Sequence, residues 1–138
     1  MASRQSINIL ARMKKYSIII PAEVQPGPSS KELSAARILL EYFKKDIVFV
    51  SRKNNRTPDF LIGGLFWELK TPTGTGKYNL QHALRSAAGQ SDNIVIDARF
   101  SKMHINRIKS ELRFQLSKAN KINRLLLIDK QKAVIEIK

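Results

Sequence analysis

Asp59, Glu68 and Lys70 are the residues of this chain whose types and spacing could do chemistry together. They lie in the stretch Thr57-Pro58-Asp59-Phe60-Leu61-Ile62-Gly63-Gly64-Leu65-Phe66-Trp67-Glu68-Leu69-Lys70. Two β-prone runs flank a Gly-Gly pair, which signals a two-residue hairpin loop. With Gly63 and Gly64 as the loop, Ile62 faces Leu65, Leu61 faces Phe66 and Phe60 faces Trp67. The next pair is Asp59 opposite Glu68. Side chains alternate along a strand, so Asp59, Glu68 and Lys70 share one face, while Phe60, Ile62, Leu65, Trp67 and Leu69 share the other.

The second of these is a core face. The first carries two carboxylates with Cβ atoms expected about 4.5–5.5 Å apart, an arrangement that destabilises like charges. A divalent cation between them would offset the repulsion. Lys70 adds a compact cation suited to a phosphate or an attacking water. The spacing P-D-(x8)-E-x-K therefore describes a metal site for phosphodiester cleavage. The plainer alternative is an exposed acid pair relieved by Lys70 and solvent.

Composition narrows the chemistry. The 138 residues make one domain with enough chain for a core, and 43 % apolar with 26 % charged residues is a globular mixture. There is no cysteine, and only His82 and His104 offer imidazole, so thiolate and histidine-rich zinc cages are excluded. A metal here must be held mainly by oxygen, which favours Mg²⁺ or Mn²⁺ over Zn²⁺. Lys and Arg number 25 against 11 Asp and Glu, a net charge of +14. Such a chain is drawn to polyanions, and nucleic acid is the expected partner. No apolar run approaches the length of a membrane span.

The elements that must position these residues follow in order. Residues 1–28 read as a basic arm or linker, with a short helix from Ile7 to Lys14 and a strand-like Ser17-Ile18-Ile19-Ile20; Pro21 to Ser30 is the break before the compact domain, 29–138. Ser29 opens a helix to about Lys45 with the stripe Leu33, Ala36, Leu40 and Phe43. Glu32 falls within that stripe. It either reaches the sheet beside Asp59 and Glu68 or closes a Ser29-x-x-Glu32 capping box. Ile47–Ser51 is a strand, and the basic loop Arg52-Lys53-Asn54-Asn55-Arg56 that follows is placed for phosphate contact. Gly74-Thr75-Gly76-Lys77 lacks the spacing of a nucleotide-binding loop, but could close over substrate with Lys77.

Tyr78–Gln90 is helical, with His82 and Arg85 pointing outward; Arg85 joins Arg52, Lys53, Arg56 and Lys77 as a candidate nucleic-acid contact, and Gln90, near the helix end, either contacts the site, as a secondary site with His82, or caps the helix. Asn93–Asp97 is a strand covered on both faces. Ser101 starts a third helix with the stripe Ile105, Ile108, Leu112 and Leu116 and a basic remainder; His104 beside it reads as structural. Arg124–Asp129 is a buried strand, and Lys132–Ile137 an edge strand. Asp97 and Asp129 end their strands as structural residues. The order αβββαβαββ after the arm implies an α/β (α+β) fold, a mixed central sheet flanked by helices. No stacking platform of exposed aromatics is legible, so RNA and DNA are not distinguished.

This order, with Pro58-Asp59 and Glu68-Leu69-Lys70 on a hairpin, resembles the PD-(D/E)xK nuclease superfamily, the restriction-endonuclease-like fold, over residues 29 to 97. More narrowly, Thr57–Ile62, Trp67–Pro72 and Gln90–Asp97 look like the C-terminal toxin domains of contact-dependent growth inhibition (CdiA-type) proteins. That resemblance implies a tRNA-cleaving nuclease acting in the bacterial cytoplasm and neutralised by a cognate immunity protein. Asp59 and Glu68 would bind the metal, Lys70 would position or activate the water, and Glu32 would match a helix acid of many members. The chain begins at Met1 without a secretion apparatus, which fits either a stand-alone protein or a domain cut from a larger one. Beside the tRNA nuclease stand a DNA endonuclease of the same fold, a metal-independent RNase using His82 or His104, and a non-catalytic nucleic-acid-binding module.

Overall fold

The computed structural model describes residues 15–54 and 56–138. The short helix expected from Ile7 to Lys14 lies outside the described residues. The elements are β1 (Ile18–Ile19), α1 (Ser30–Phe43), β2 (Ile47–Phe49), β3 (Phe60–Ile62), β4 (Leu65–Lys70), α2 (Asn79–Ala88), β5 (Asn93–Asp97), α3 (Ile105–Leu116), β6 (Arg124–Ile128) and β7 (Val134–Glu136). From α1 onward this is the expected order. Residues 18–19 of the stretch read as an arm form the sheet edge, running parallel to β2.

The seven strands make one mixed sheet in which spatial order follows chain order. β2, β3 and β4 are antiparallel neighbours; β4, β5 and β6 are parallel; β7 returns antiparallel to β6. The crossovers β4–α2–β5 and β5–α3–β6 advance across the sheet in the same direction, so their common handedness sets both helices on one face. There Leu80, Leu84, Ile108 and Leu112 pack with Ile94, Ile96, Leu125 and Leu127. Helix α1 covers the opposite face, where Ala35, Ala36 and Leu39 meet Phe60, Trp67, Leu69 and Val95.

Local chemistry explains the helix ends. Ser29 Oγ accepts from the Glu32 N–H at 3.1 Å, and Glu32 Oε1 accepts from the Ser29 N–H at 3.2 Å, the reciprocal bonds of a capping box. The buried stripe of α1 centres on Ala35, Ala36 and Leu39, and the anticipated Leu33, Leu40 and Phe43 flank it half-buried. Small alanines let the helix lie close to the sheet. Helix α3 begins at Ile105 rather than near Ser101. His104 is its N-cap, its Nδ1 accepting from the Asn106 N–H at 3.2 Å. Ser101 is instead buried in the preceding turn, where its Oγ accepts from the Met103 N–H. His104 is thus engaged in holding a helix end.

Candidate active site

The hairpin forms as the Gly-Gly pair dictates. Gly63 and Gly64 have φ of 55° and 80°, the two left-handed positions of a tight loop whose twist matches the strands it joins. The register is Phe60 with Trp67, Leu61 with Phe66 and Ile62 with Leu65. Strand β4 in turn pairs Glu68 with Ile94 and Lys70 with Ile96 on β5. Ile94 and Ile96 belong to the core under α2 and α3. Glu68 and Lys70 therefore point to that side of the sheet, away from α1.

Regular pairing stops at Asp59. Its N–H donates to the Trp67 carbonyl at 3.0 Å, one residue out of the ladder register. Its side chain then takes the place of a backbone acceptor: Oδ2 receives the Leu69 N–H at 2.8 Å. This bond fixes the carboxylate beside β4. Asp59 and Glu68 are neighbours at the end of the hairpin, near enough for the charge of Asp59 to act on the Glu68 carboxyl. Lys70 Nζ lies 3.3 Å from Glu68 Oε2, whereas Glu68 Oε1 is buried without a hydrogen-bond partner.

Glu68 is only 2 % exposed. Burial, then the hydrogen bond and negative charge of Asp59, push its carboxyl up from 4.5 to about 8, against a smaller lowering by Lys70. Without a cation the pair therefore keeps a proton at neutral pH. Two adjacent acids with an orphaned buried oxygen fit a hard cation bound through oxygen. Among the described residues no cluster of three or more His, Cys, Asp or Glu accompanies them. Two carboxylates, with waters and substrate oxygens completing the shell, is the coordination that Mg²⁺ and Mn²⁺ accept.

Glu32 is not brought to this pair. It sits on α1, over the opposite face of the sheet, and its carboxylate is occupied in the capping box. The capping half of the two expectations for Glu32 is the one found, because the first turn of a helix needs acceptors for its free N–H groups.

The basic and polar candidates divide among several surfaces. Lys53, Arg56 and Gln90 line one cleft of about 750 Å³ together with Pro58 and the half-exposed Phe66. This cleft adjoins the acid pair, since Pro58 precedes Asp59 and Phe66 shares a strand face with Glu68. Gln90 Nε2 reaches the Thr57 carbonyl at 3.5 Å, tying the end of α2 to the loop before Asp59. Arg52 is exposed nearby on the same loop. Arg85 faces a separate cleft between α2 and α3, with Lys118 and Lys121. Lys77 and His82 are exposed at the start of α2, where both rings and charge gather around Tyr78.

Sequence reasoning missed the residues that brace the site. Ser91 Oγ and Asn93 Nδ2 both donate to the Phe66 carbonyl, at 2.7 and 3.0 Å, fastening β4 to the start of β5 two residues before Glu68. The polar start of the otherwise apolar Asn93–Asp97 run was the available signal.

The profile of the contact-dependent growth inhibition CdiA C-terminal domain matches residues 56–134, a span holding Asp59, Glu68, Lys70 and both helices of the site face. The chain belongs to the CdiA C-terminal domain family. The rest of the chain is consistent with that membership in fold. A CdiA-CT/CdiI toxin and immunity complex from Burkholderia pseudomallei superposes with a TM-score of 0.58, covering 88 % of this chain and 98 % of that one at 19 % identity. At this identity the likeness speaks for the fold alone. No curated protein matches the chain. No helix among the described residues is long and apolar enough to cross a membrane.

Proposed function

We propose that this CdiA C-terminal domain is a toxin nuclease of the PD-(D/E)xK type, hydrolysing phosphodiester bonds with a divalent metal, Mg²⁺ or Mn²⁺. The observation that carries the reading is the adjacent acids Asp59 and Glu68, which cannot both ionise cheaply, with one buried oxygen of Glu68 lacking any donor and Lys70 at 3.3 Å from the other. A pair of this kind is costly in a fold unless it binds something positive.

Asp59 and Glu68 would hold the ion, which supplies Lewis acidity toward a phosphate oxygen. Asp59 is pre-set for this by the Leu69 N–H, which fixes one of its oxygens. The ammonium of Lys70, partly exposed beside Glu68, has donors only. Its role is then to orient the attacking water and to stabilise the negative charge that builds on the phosphoryl and leaving oxygens as the P–O bond breaks. Lys53 and Arg56 in the adjoining cleft would grip the backbone on either side of the scissile bond.

The substrate favoured is tRNA over DNA, and the partner a cognate immunity protein, acting in the bacterial cytoplasm; the toxin and immunity complex of the similar fold supports the second. The deciding experiment incubates the domain with tRNA, single-stranded RNA and duplex DNA in Mg²⁺, Mn²⁺ or EDTA. Cleavage of RNA that stops in EDTA and in Asp59→Ala, Glu68→Ala and Lys70→Ala is expected. Full activity in EDTA, or in any of these variants, overturns the reading.

A further inference from the structure

Helix α2 opens with an aromatic residue that neither core uses. Tyr78 is 55 % exposed, the most exposed of the large hydrophobic residues among those described. It occupies the N-cap position of α2 without making a side-chain capping bond, so its ring is not there to hold the helix end. One turn on, His82 lies against it with ring centroids 6.2 Å apart and planes 24° from parallel. Lys77 Nζ stands 5.6 Å from the Tyr78 centroid. The result is a solvent-facing pair of near-parallel rings with a cation over the Tyr78 ring.

Its surroundings suit a polyanion. From Lys70 to Ser91 the sequence has no acidic residue, while Lys70, Lys77 and Arg85 are basic. The seven-residue loop 71–77 joins Lys70 of the acid site directly to Tyr78, and α2 packs over the strands that carry the site. An isolated exposed tyrosine would be ordinary surface. A flat, paired ring next to a lysine, on an acid-free segment continuous with a candidate phosphodiester site, has a more specific use.

We propose that Tyr78 and His82 form a stacking subsite for an unpaired nucleobase of the substrate, with Lys77 contacting the phosphate beside it. This rests on the nuclease reading and deepens it. Bases inside a duplex already stack on their neighbours, whereas an unpaired base presents its π-face to an aromatic platform. The domain should therefore select single-stranded segments or loops.

The test measures binding in EDTA, where no cleavage is expected, by fluorescence anisotropy with a labelled single-stranded oligoribonucleotide and with its blunt duplex. Stacking on one aromatic contributes enough that Tyr78→Ala should weaken single-strand binding by roughly five- to a hundredfold. Duplex affinity should move by less than about twofold, since the phosphate contacts that dominate it remain, and Tyr78→Phe, which keeps the ring, should keep single-strand binding. Tyr78→Ala should also leave the salt dependence unchanged, while Lys77→Ala should lower its slope by about one. Circular dichroism checks that each variant is folded. Tyr78→Ala binding the single strand within about twofold of wild type, or weakening both polymers equally, overturns the subsite. If the wild-type domain cleaves RNA yet Tyr78→Ala binds normally, the subsite alone falls; if the wild type neither binds nor cleaves nucleic acid, the nuclease reading falls with it.

Discussion

Glu68 lies beside Asp59 where the β3–β4 ladder ends, and burial first, then the neighbouring Asp59, push its carboxyl up from 4.5 to about 8. The Leu69 N–H, donating to Asp59 Oδ2 at 2.8 Å, favours this placement of the Asp59 carboxylate. The cost of proximity is thus built in by the end of the β3–β4 ladder. Stability, ion binding and rate should all carry its signature.

Stability should fall as pH rises. The folded protein holds the Glu68 proton more tightly than the unfolded chain, so the native state binds more protons between about 4.5 and about 8. This group's contribution is fully present below 4.5 and is lost as pH climbs through 8, by at most about 5 kcal/mol. Urea melts in EDTA at several pH values should show this decline. Glu68→Gln, which stays neutral, should flatten it and be more stable than wild type at pH 8.5. Equal slopes for the two proteins would remove the buried-acid account.

Ion binding should release a proton. Below pH 8 a cation entering between Asp59 and Glu68 must displace the Glu68 proton, so apparent Mn²⁺ affinity should rise up to about tenfold per pH unit and level off near 8. Calorimetry in two buffers of different ionisation enthalpy reads the proton directly. Asp59→Asn and Glu68→Gln should each lose most of the binding. Proton-independent Mn²⁺ binding, or binding that survives both substitutions, would place the ion elsewhere.

Lys70 acts on both the acid and the substrate. Its ammonium lowers the Glu68 value somewhat, so Lys70→Met should shift the proton release to higher pH while retaining Mn²⁺ binding at pH 9. Cleavage should nevertheless fall by about 10²- to 10³-fold, the typical loss when a charge-stabilising donor is removed. Single-turnover rates at saturating Mn²⁺ separate the two effects. A Lys70→Met domain with wild-type rate once loaded would reduce Lys70 to a structural counter-ion.

The acid pair was readable because three local rules agree at the hairpin. Gly63-Gly64 sets the bend, alternation sets the face, and the apolar side of the same strands has one place to go. The β5 and β6 strands were equally legible as continuous apolar runs. What escaped depends on contacts between distant parts of the chain. Helical periodicity places Glu32 on an inward stripe, but only the packing of α1 shows that inward means the face opposite Glu68. The start of α3 was missed because Ser101 is a good cap by type, yet its hydroxyl is buried in a turn and His104 caps instead. The pairing of Tyr78 with His82 needs the helix start fixed within one residue, a boundary that sequence pattern leaves loose.

Asp97 and Arg99 give the last test, one of the fold rather than of catalysis. Asp97 is fully buried, and Arg99 meets it twice, Nε donating to Oδ1 at 2.9 Å and Nη2 to Oδ2 at 2.7 Å. The same nitrogen donates to Ser34 Oγ at 2.9 Å on α1, so one guanidinium joins the end of β5 to the helix on the face opposite the acid site. Arg99→Met leaves a buried carboxylate without its counter-ion and should cost about 3–5 kcal/mol. Arg99→Lys keeps the charge but loses the planar fork and should cost less. The double change Asp97→Leu with Arg99→Met removes both charges and should recover much of the loss, since an apolar pair of similar volume often replaces a buried ion pair at little cost. Urea midpoints of the three variants read this ranking. If the double variant is no more stable than Arg99→Met, the loss comes from the contact with α1 and not from the stranded charge.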